Sequence, residues 1–418
     1  MFFPLISIYL IFRSKLFFFL RDHYYGERIF QMILSEILVK IDVIYYNMQQ
    51  LQYLPEINYI YYPDEYGGSY YILFSSYNFY FSVLENFNKK SGLGRPKFDR
   101  NILFRCLMLK TLMMPNNYRS LIAKLRLNKD LAKIIGLDPN KIPSASILKK
   151  FFHELDIDTL YEINLQLINE LRLYNILNFD KIAVDSVPIE SYFKPPTKRG
   201  QSSTDIDATW GFSKCKGGWY FGYKAHIITD IDSKLGISCI VTKANESDQK
   251  ITDSLINLLK KLKIHPKQLL ADAGYDSEDN HFKLREELNC IGIIKPNPRG
   301  KKRVKYTIKT INKAKKLLKQ TTLDKYIPIK KRKKEYRQCC CVLQRHKIFK
   351  KIYKKRIYVE QDNYIIKNVL GLEKKKIIGL VNMYKEVLLR CIVSLAIAIV
   401  SSQLGIPEVM RSPRFFQN

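Results

Sequence analysis

Three acidic residues stand where their chemistry can exceed a structural role. Asp185 falls mid-strand in KIAVDSVPIES, on the face it shares with Ala183 and Val187, which is otherwise apolar. Asp272 closes the short apolar strand KQLLAD and opens the turn AGYDS. Glu360 lies in YKKRIYVEQDNYIIK, a stretch without Pro or Gly that reads as a helix from Tyr353 to Lys367. A continuous helix would set Tyr353, Arg356, Glu360 and Lys367 within an arc of roughly 60°, one carboxylate between two cations and an aromatic ring. Three carboxylates brought together repel, and more so when desolvated, unless cations join them. Oxygen-only ligation with open positions favours Mg²⁺ or Mn²⁺. Two such ions about 3.5–4 Å apart would activate a water or a 3′-hydroxyl and stabilise the leaving oxygen of a phosphodiester. Each residue also has a plainer reading: a solvated helix face for Glu360, a turn or cap for Asp272.

The elements that must position these acids follow in a definite order. KIAVDSVPIES, WYFGYKAHIITD and GISCIVTKA read as three strands, the last two joined by a turn at Asp230 to Lys234. An amphipathic helix from Glu246 to Leu262, the strand KQLLAD, a helix from Glu278 to Leu288 and the strand CIGIIKP come next, before the helix at Tyr353. That is the order of an α/β ribonuclease H-like catalytic domain: a mixed five-stranded sheet with flanking helices, over residues 179–400. In it the ends carrying Asp185, Asp272 and Glu360 converge. Lys194 to Lys216, rich in Pro, Ser, Lys and Thr, reads as a mobile loop. An insertion at about 297–352 carries RGKKRVK, KAKKLLK and KKRKK, which either form solvated faces or follow a phosphate backbone.

The rest of the chain narrows the partner. Over 418 residues, 70 Lys and Arg stand against 39 Asp and Glu, a net charge of +31 that points to a polyanion. A hydrophobic content of 46% excludes global disorder. Eight Cys include no C-x2-C pair and read as reduced, mostly buried thiols; the run Cys339 to Cys341 reads as strand-like. Residues 86–178 read as an all-α domain with helices from Asn101, from a cap at Asn117, through KDLAKIIGL closed by Gly136, and from an N-cap at Ser144, then a helix from Ile157 to Leu177. This suits a helix-turn-helix DNA-binding domain, or a plain bundle with basic faces. Residues 1–85 form an aromatic-rich extension of unknown role, with a strand-like YYILFSSYNFYFSVL. The apolar run at its start is broken at Arg13 to Lys15, short of the ~20 residues a membrane span needs. Val387 to Ser401 reads as buried core, and 401–418 as a tail.

The chain resembles the DDE transposases of bacterial and archaeal insertion sequences. Their signature Y-x2-R-x3-E-x6-K is met by Tyr353, Arg356, Glu360 and Lys367. VDS at Asp185, GYKAH around His226, LADAGYDS around Asp272 and GRPKFD…PSASILKKFF add to it. The resemblance covers about residues 90–400 and leaves the first 85 unexplained. It implies that Asp185, Asp272 and Glu360 are a metal-binding catalytic triad, and that Tyr353, Arg356 and Lys367 contact phosphates near the transposon end. It further implies cleavage and strand transfer of double-stranded DNA with two Mg²⁺ or Mn²⁺ ions, terminal inverted repeats as the sites bound, and a homodimer on DNA. The expected setting is a prokaryotic cytoplasm, at the nucleoid and off the membrane. A nuclease of the same fold without strand transfer, and an inactive DNA-binding remnant, are the alternatives. Fold order sets Lys224 and His226 near the site. Trp210 and Trp219 either stack on an unpaired base or belong to the core.

Overall fold

The computed structural model describes residues 70–85, 97–114, 117–196, 203–213, 216–297, 312, 328–343, 347–373 and 375–417. The apolar run at the start of the chain and the basic runs RGKKRVK and KAKKLLK lie outside them. Two short helices come first, α1 (Tyr70–Ser76) and α2 (Ser82–Glu85). The stretch expected to be strand-like is therefore helical. Its apolar residues bury Leu73, Phe74, Phe79, Phe81 and Leu84 in the core, and that packing overrides the β preference of Tyr, Phe and Ile.

The helices that follow start at local caps. Asp99 opens α3 (Arg100–Met113), its carboxylate accepting from the N–H groups of Asn101 and Ile102. Asn117 and Ser120 form a reciprocal capping box on α4 (Tyr118–Leu127). Asn128 caps α5 (Lys129–Ile134), and Gly136, at φ 86°, takes the left-handed turn after it. Ser144 caps α6 (Ala145–Glu154), and Asp156 caps α7 (Ile157–Leu173).

The sheet has six strands: β1 (Lys181–Glu190), β2 (Thr209–Ser213), β3 (Gly218–Asp230), β4 (Gly236–Lys243), β5 (Gln268–Ala271) and β6 (Ile291–Ile294). β1 pairs antiparallel with β3 and parallel with β5, and β5 runs parallel to β6. The outer edge of the long β3 is shared: its first residues pair with β2, the rest with β4. The expected five strands are all present. The sixth, β2, lies inside the stretch read as a loop; five residues are a weak sequence signal, and the strand is fixed by its ladder to β3.

α8 (Ile251–Lys261) follows a short 3₁₀ turn at Asp248–Lys250 and lies between β4 and β5 in sequence; α9 (Glu278–Leu288) lies between β5 and β6. Within the basic insertion, Ile329–Leu343 forms α10. Cys339 to Cys341 are therefore on a helix, and not on the strand expected for them. Cys340 is buried, with its thiol 3.4 Å from the Ile294 carbonyl oxygen that accepts it. α10 docks on α9 through Arg332 to Glu286 (2.8 Å) and reaches Asp276 through Arg337 (2.6 Å), while Lys330, Lys331 and Lys334 of KKRKK are exposed.

α11 (Lys347–Lys354) and α12 (Ile357–Tyr364) replace the single helix expected from Tyr353 to Lys367. Between them Lys355 and Arg356 bond back three residues, to the carbonyls of Ile352 and Tyr353. The tighter turn rotates Tyr353 and Arg356 away from the ideal arc. After Tyr364 the chain widens into a π-helical segment, Ile365–Val369, closed by the Leu370 N–H on the Ile365 carbonyl at 2.8 Å.

The last helix, α13 (Leu380–Gln403), is buried along most of its length and packs on β4 and α7. No helix among the described residues is long and apolar enough to cross a membrane. α7 is bonded across to β4: Tyr161 donates to the Cys239 carbonyl and Asn164 to that of Ile237, both at 2.9 Å. Inside α13, Glu386 accepts from Lys110 (2.9 Å) and Arg390 (2.7 Å). The final residues fold back, with Phe416 buried and Gln417 donating to the carbonyls of Leu112 and Val369.

Candidate active site

The β1–β5 ladder brings two of the acids together. Val184 is the parallel partner of Ala271, so Asp185 and Asp272 are the next residues of adjacent strands, at a strand spacing of roughly 4.8 Å. β1 continues through Asp185, while β5 ends just before Asp272. Asp272 then caps a 3₁₀ turn, Ala273–Tyr275, accepting from the Gly274 N–H at 2.8 Å. Its plainer role as a cap and its place beside Asp185 therefore coexist.

Glu360 comes from α12, at the exposed rim. Arg356 links it inward: one guanidinium nitrogen lies 3.1 Å from Asp185, and another donates to Glu360. Asn363, one turn on, donates to the second Asp185 oxygen at 3.3 Å. Arg356 also lies 5.9 Å above the Tyr353 ring, which stacks on Phe349. Thus Tyr353, Arg356 and Glu360 stay neighbours although the helix between them is broken. Lys367 does not join them. It sits in the π-helical segment and pairs with Glu373 at 3.1 Å.

Burial first, and then the acids' mutual charge, sets the electrostatics of the site. Burial pushes the Asp185 carboxyl up to about 7; Arg356 opposes this, and the charges of Asp272 and Glu360 add to it. Burial also raises Asp272, against the Gly274 N–H, with Asp248 adding and Arg356 and Lys224 opposing. One guanidinium does not balance this much charge.

Asp248 is the residue that sequence reading missed. It stands in the 3₁₀ turn before α8, receives Lys224 at 2.8 Å and Ser186 at 3.4 Å, and abuts the turn after Asp272. A Cβ on Gly274 would lie 2.7 Å from Asp248 Oδ2 and 2.9 Å from Asp272 Oδ1, so only glycine lets both carboxylates close on that turn. Ser186, Lys224 and His226 share a sheet face by strand register, and that alternation was the available signal. His226 is buried beneath the same turn, its Nδ1 2.6 Å from the Tyr275 hydroxyl; burial holds its pKa down to about 4.

Among the described residues, no three acidic, His or Cys side chains stand close enough to enclose an ion as they are. The Arg356 guanidinium stands between Asp185 and Glu360 and contacts both carboxylates. The donor set itself fits a hard divalent ion: carboxylate oxygens only, in a buried setting that raises the pKa of Asp185 and Asp272.

An open mixed sheet in this order, with one acid within β1, one just past the end of the parallel β5 and a third on the helical segment that follows, is the arrangement of a ribonuclease H-like domain. Residues 179–396, more than half of the chain, match the family described as the transposase DDE domain. The chain belongs to that family, and transposition of DNA is the activity it implies. No solved structure matches the chain.

Proposed function

We propose that the protein is an insertion-sequence transposase that binds terminal inverted repeats, cleaves the DNA at the element's ends and joins those ends to a target. One observation carries the reading: Asp185 on β1 and Asp272, just past the end of the adjacent β5, come side by side, with Glu360 tied to Asp185 through Arg356. Asp185, Asp272 and Glu360 would hold divalent metal, Mg²⁺ or Mn²⁺, which supplies Lewis-acid activation of the attacking oxygen and charge for the leaving one.

The chain's own residues do the positioning. Arg356 is suited to grip a backbone phosphate bidentately, and moving there frees both carboxylates that it now bridges. Tyr353 packs against that guanidinium and sets its direction. Lys367 offers a point charge to the next phosphate. Asp248 and Lys224 fix the turn that carries Asp272, as a positioning pair. The helices α3 to α7 recognise the terminal repeat, and two copies assemble across a pair of ends. The exposed lysines of α10 follow the phosphate backbone nearby.

The test is a joining assay. A pre-cut element end is supplied with a supercoiled target, and Asp185→Ala is run beside the wild type in Mg²⁺ and in Ca²⁺. Strand transfer by the wild type alone, with DNA binding retained by both in Ca²⁺, supports the reading. Cleavage without joining leaves a nuclease, and binding without either leaves a DNA-binding remnant.

A further inference from the structure

The β2–β3 ribbon carries a face that none of these roles uses. Phe212 is paired directly with Trp219 and Trp210 with Phe221. Directly opposed residues point to one side of a two-stranded ribbon, so four aromatic rings share one face. The ring pairs meet edge-on, at 5.7 Å and 5.8 Å between centroids. The other face is closed, with Tyr220 buried and Gly211 pressed on Ala244. The aromatic face is open: Trp219 is 71% exposed, Phe212 59% and Trp210 46%. Trp219 and Trp210 are thus not core residues. A contiguous apolar patch left open in water marks a binding surface.

The ribbon is joined to the site by charge. At its tip Lys216 pairs with Glu190 (2.9 Å) and Glu373 (2.7 Å), and Glu373 also takes Lys367. One carboxylate therefore connects the aromatic ribbon to the lysine assigned to the DNA end.

We propose that this face receives nucleobases unpaired from the DNA beside the cut end, stacked on Trp219, Phe212 and Trp210; the location beside the end rests on the transposase reading, but the stacking surface does not. Two features of the molecule favour this occupant over a second copy of the chain. A net charge of +31 draws in a polyanion and drives copies apart. Four side chains fall far short of the ~20–30 residues per side of a stable protein interface, whereas one or two rings suffice for a base.

The chain has only two tryptophans, and both are on this face, so tryptophan emission, excited where its 28 tyrosines do not absorb, reports the ribbon alone. The full-length protein is titrated in Ca²⁺ with oligothymidylate and with a blunt duplex of equal length. The expected result is saturable tryptophan quenching by the single strand and little by the duplex. Trp219→Ala, at an exposed position, should weaken single-strand binding about 5- to 100-fold while duplex affinity moves less than about twofold. Trp219→Phe should restore most of it, and Trp210→Ala should act in the same direction. Equal quenching by both DNAs, or equal weakening of both by Trp219→Ala, overturns the proposal. So does a fluorescence change that tracks protein concentration without DNA and accompanies dimer formation in sedimentation, which would give the face to a second copy. If joining fails for the wild type but the single-strand effects appear, the transposase reading falls and this surface stands.

Discussion

Glu386 and Asp185 are both carboxylates held away from water beside an arginine, and they are held in opposite ways. Burial would raise the pKa of either. At Glu386, Lys110 and Arg390 outweigh it and bring the value down to about 2. At Asp185 the one guanidinium is shared with Glu360, Asp272 lies on the next strand, and the value rises to about 7. The first is a closed ion cluster that ties α13 to α3. The second is a buried carboxylate whose one cation is shared, and strongly shifted groups of that kind gather at functional sites.

The comparison breaks most visibly in activity. Asp185→Asn should lower end cleavage on the order of 10³-fold or more in a gel assay, because it removes one member of a group that acts as a unit. The same change should leave metal-free stability at pH 8 unchanged or higher, since an uncompensated charge is lost. Glu386→Ala should do the reverse. It leaves Lys110 and Arg390 buried without their carboxylate, at a cost of about 3–5 kcal/mol in urea unfolding.

A smaller effect is expected at Asp248. Asp248→Asn should reduce cleavage about 10- to 100-fold with DNA binding intact, as for a residue that orients a ligand without being one. Wild-type cleavage by that variant would remove it from the site.

The mildest test is pH. The Asp185 pKa is higher folded than its ordinary 3.8, so its contribution to stability is full below about 4 and is lost as pH rises through about 7. The Glu386 pKa is lower folded than its ordinary 4.5, so its contribution is full above that value and is lost as pH falls through about 2. Urea midpoints measured across this range should flatten at the upper end in Asp185→Asn and at the lower end in Glu386→Gln. A shared slope in both variants would erase the distinction.

Much of this was legible in the chain. Alternation placed Asp185 inward on β1, the apolar run placed Asp272 at the end of β5, and the caps Asn117 and Ser144 marked two helix starts. What stayed hidden depends on contacts between distant segments. The three-residue turn at Lys355–Arg356 leaves no Pro or Gly signal, so the helix through Glu360 read as continuous. Lys367 was expected beside Glu360, but the π-helical segment carries it to Glu373, a partner that no local pattern announces. YYILFSSYNFYFSVL has the composition of strands and is held helical by the core it fills. Asp248 was read as the start of an ordinary amphipathic helix, because its role comes from Lys224 on β3 and from the turn at Gly274.

In the proposed mechanism Asp185, Asp272 and Glu360 share divalent metal once Arg356 is drawn to phosphate. Mn²⁺ binding followed by electron paramagnetic resonance, with a DNA end present, tests this directly. Wild-type protein should bind Mn²⁺ more tightly with DNA than without, and Asp185→Asn and Glu360→Gln should each lose that gain. Mn²⁺ binding that is the same in all three proteins, or indifferent to DNA, would contradict it.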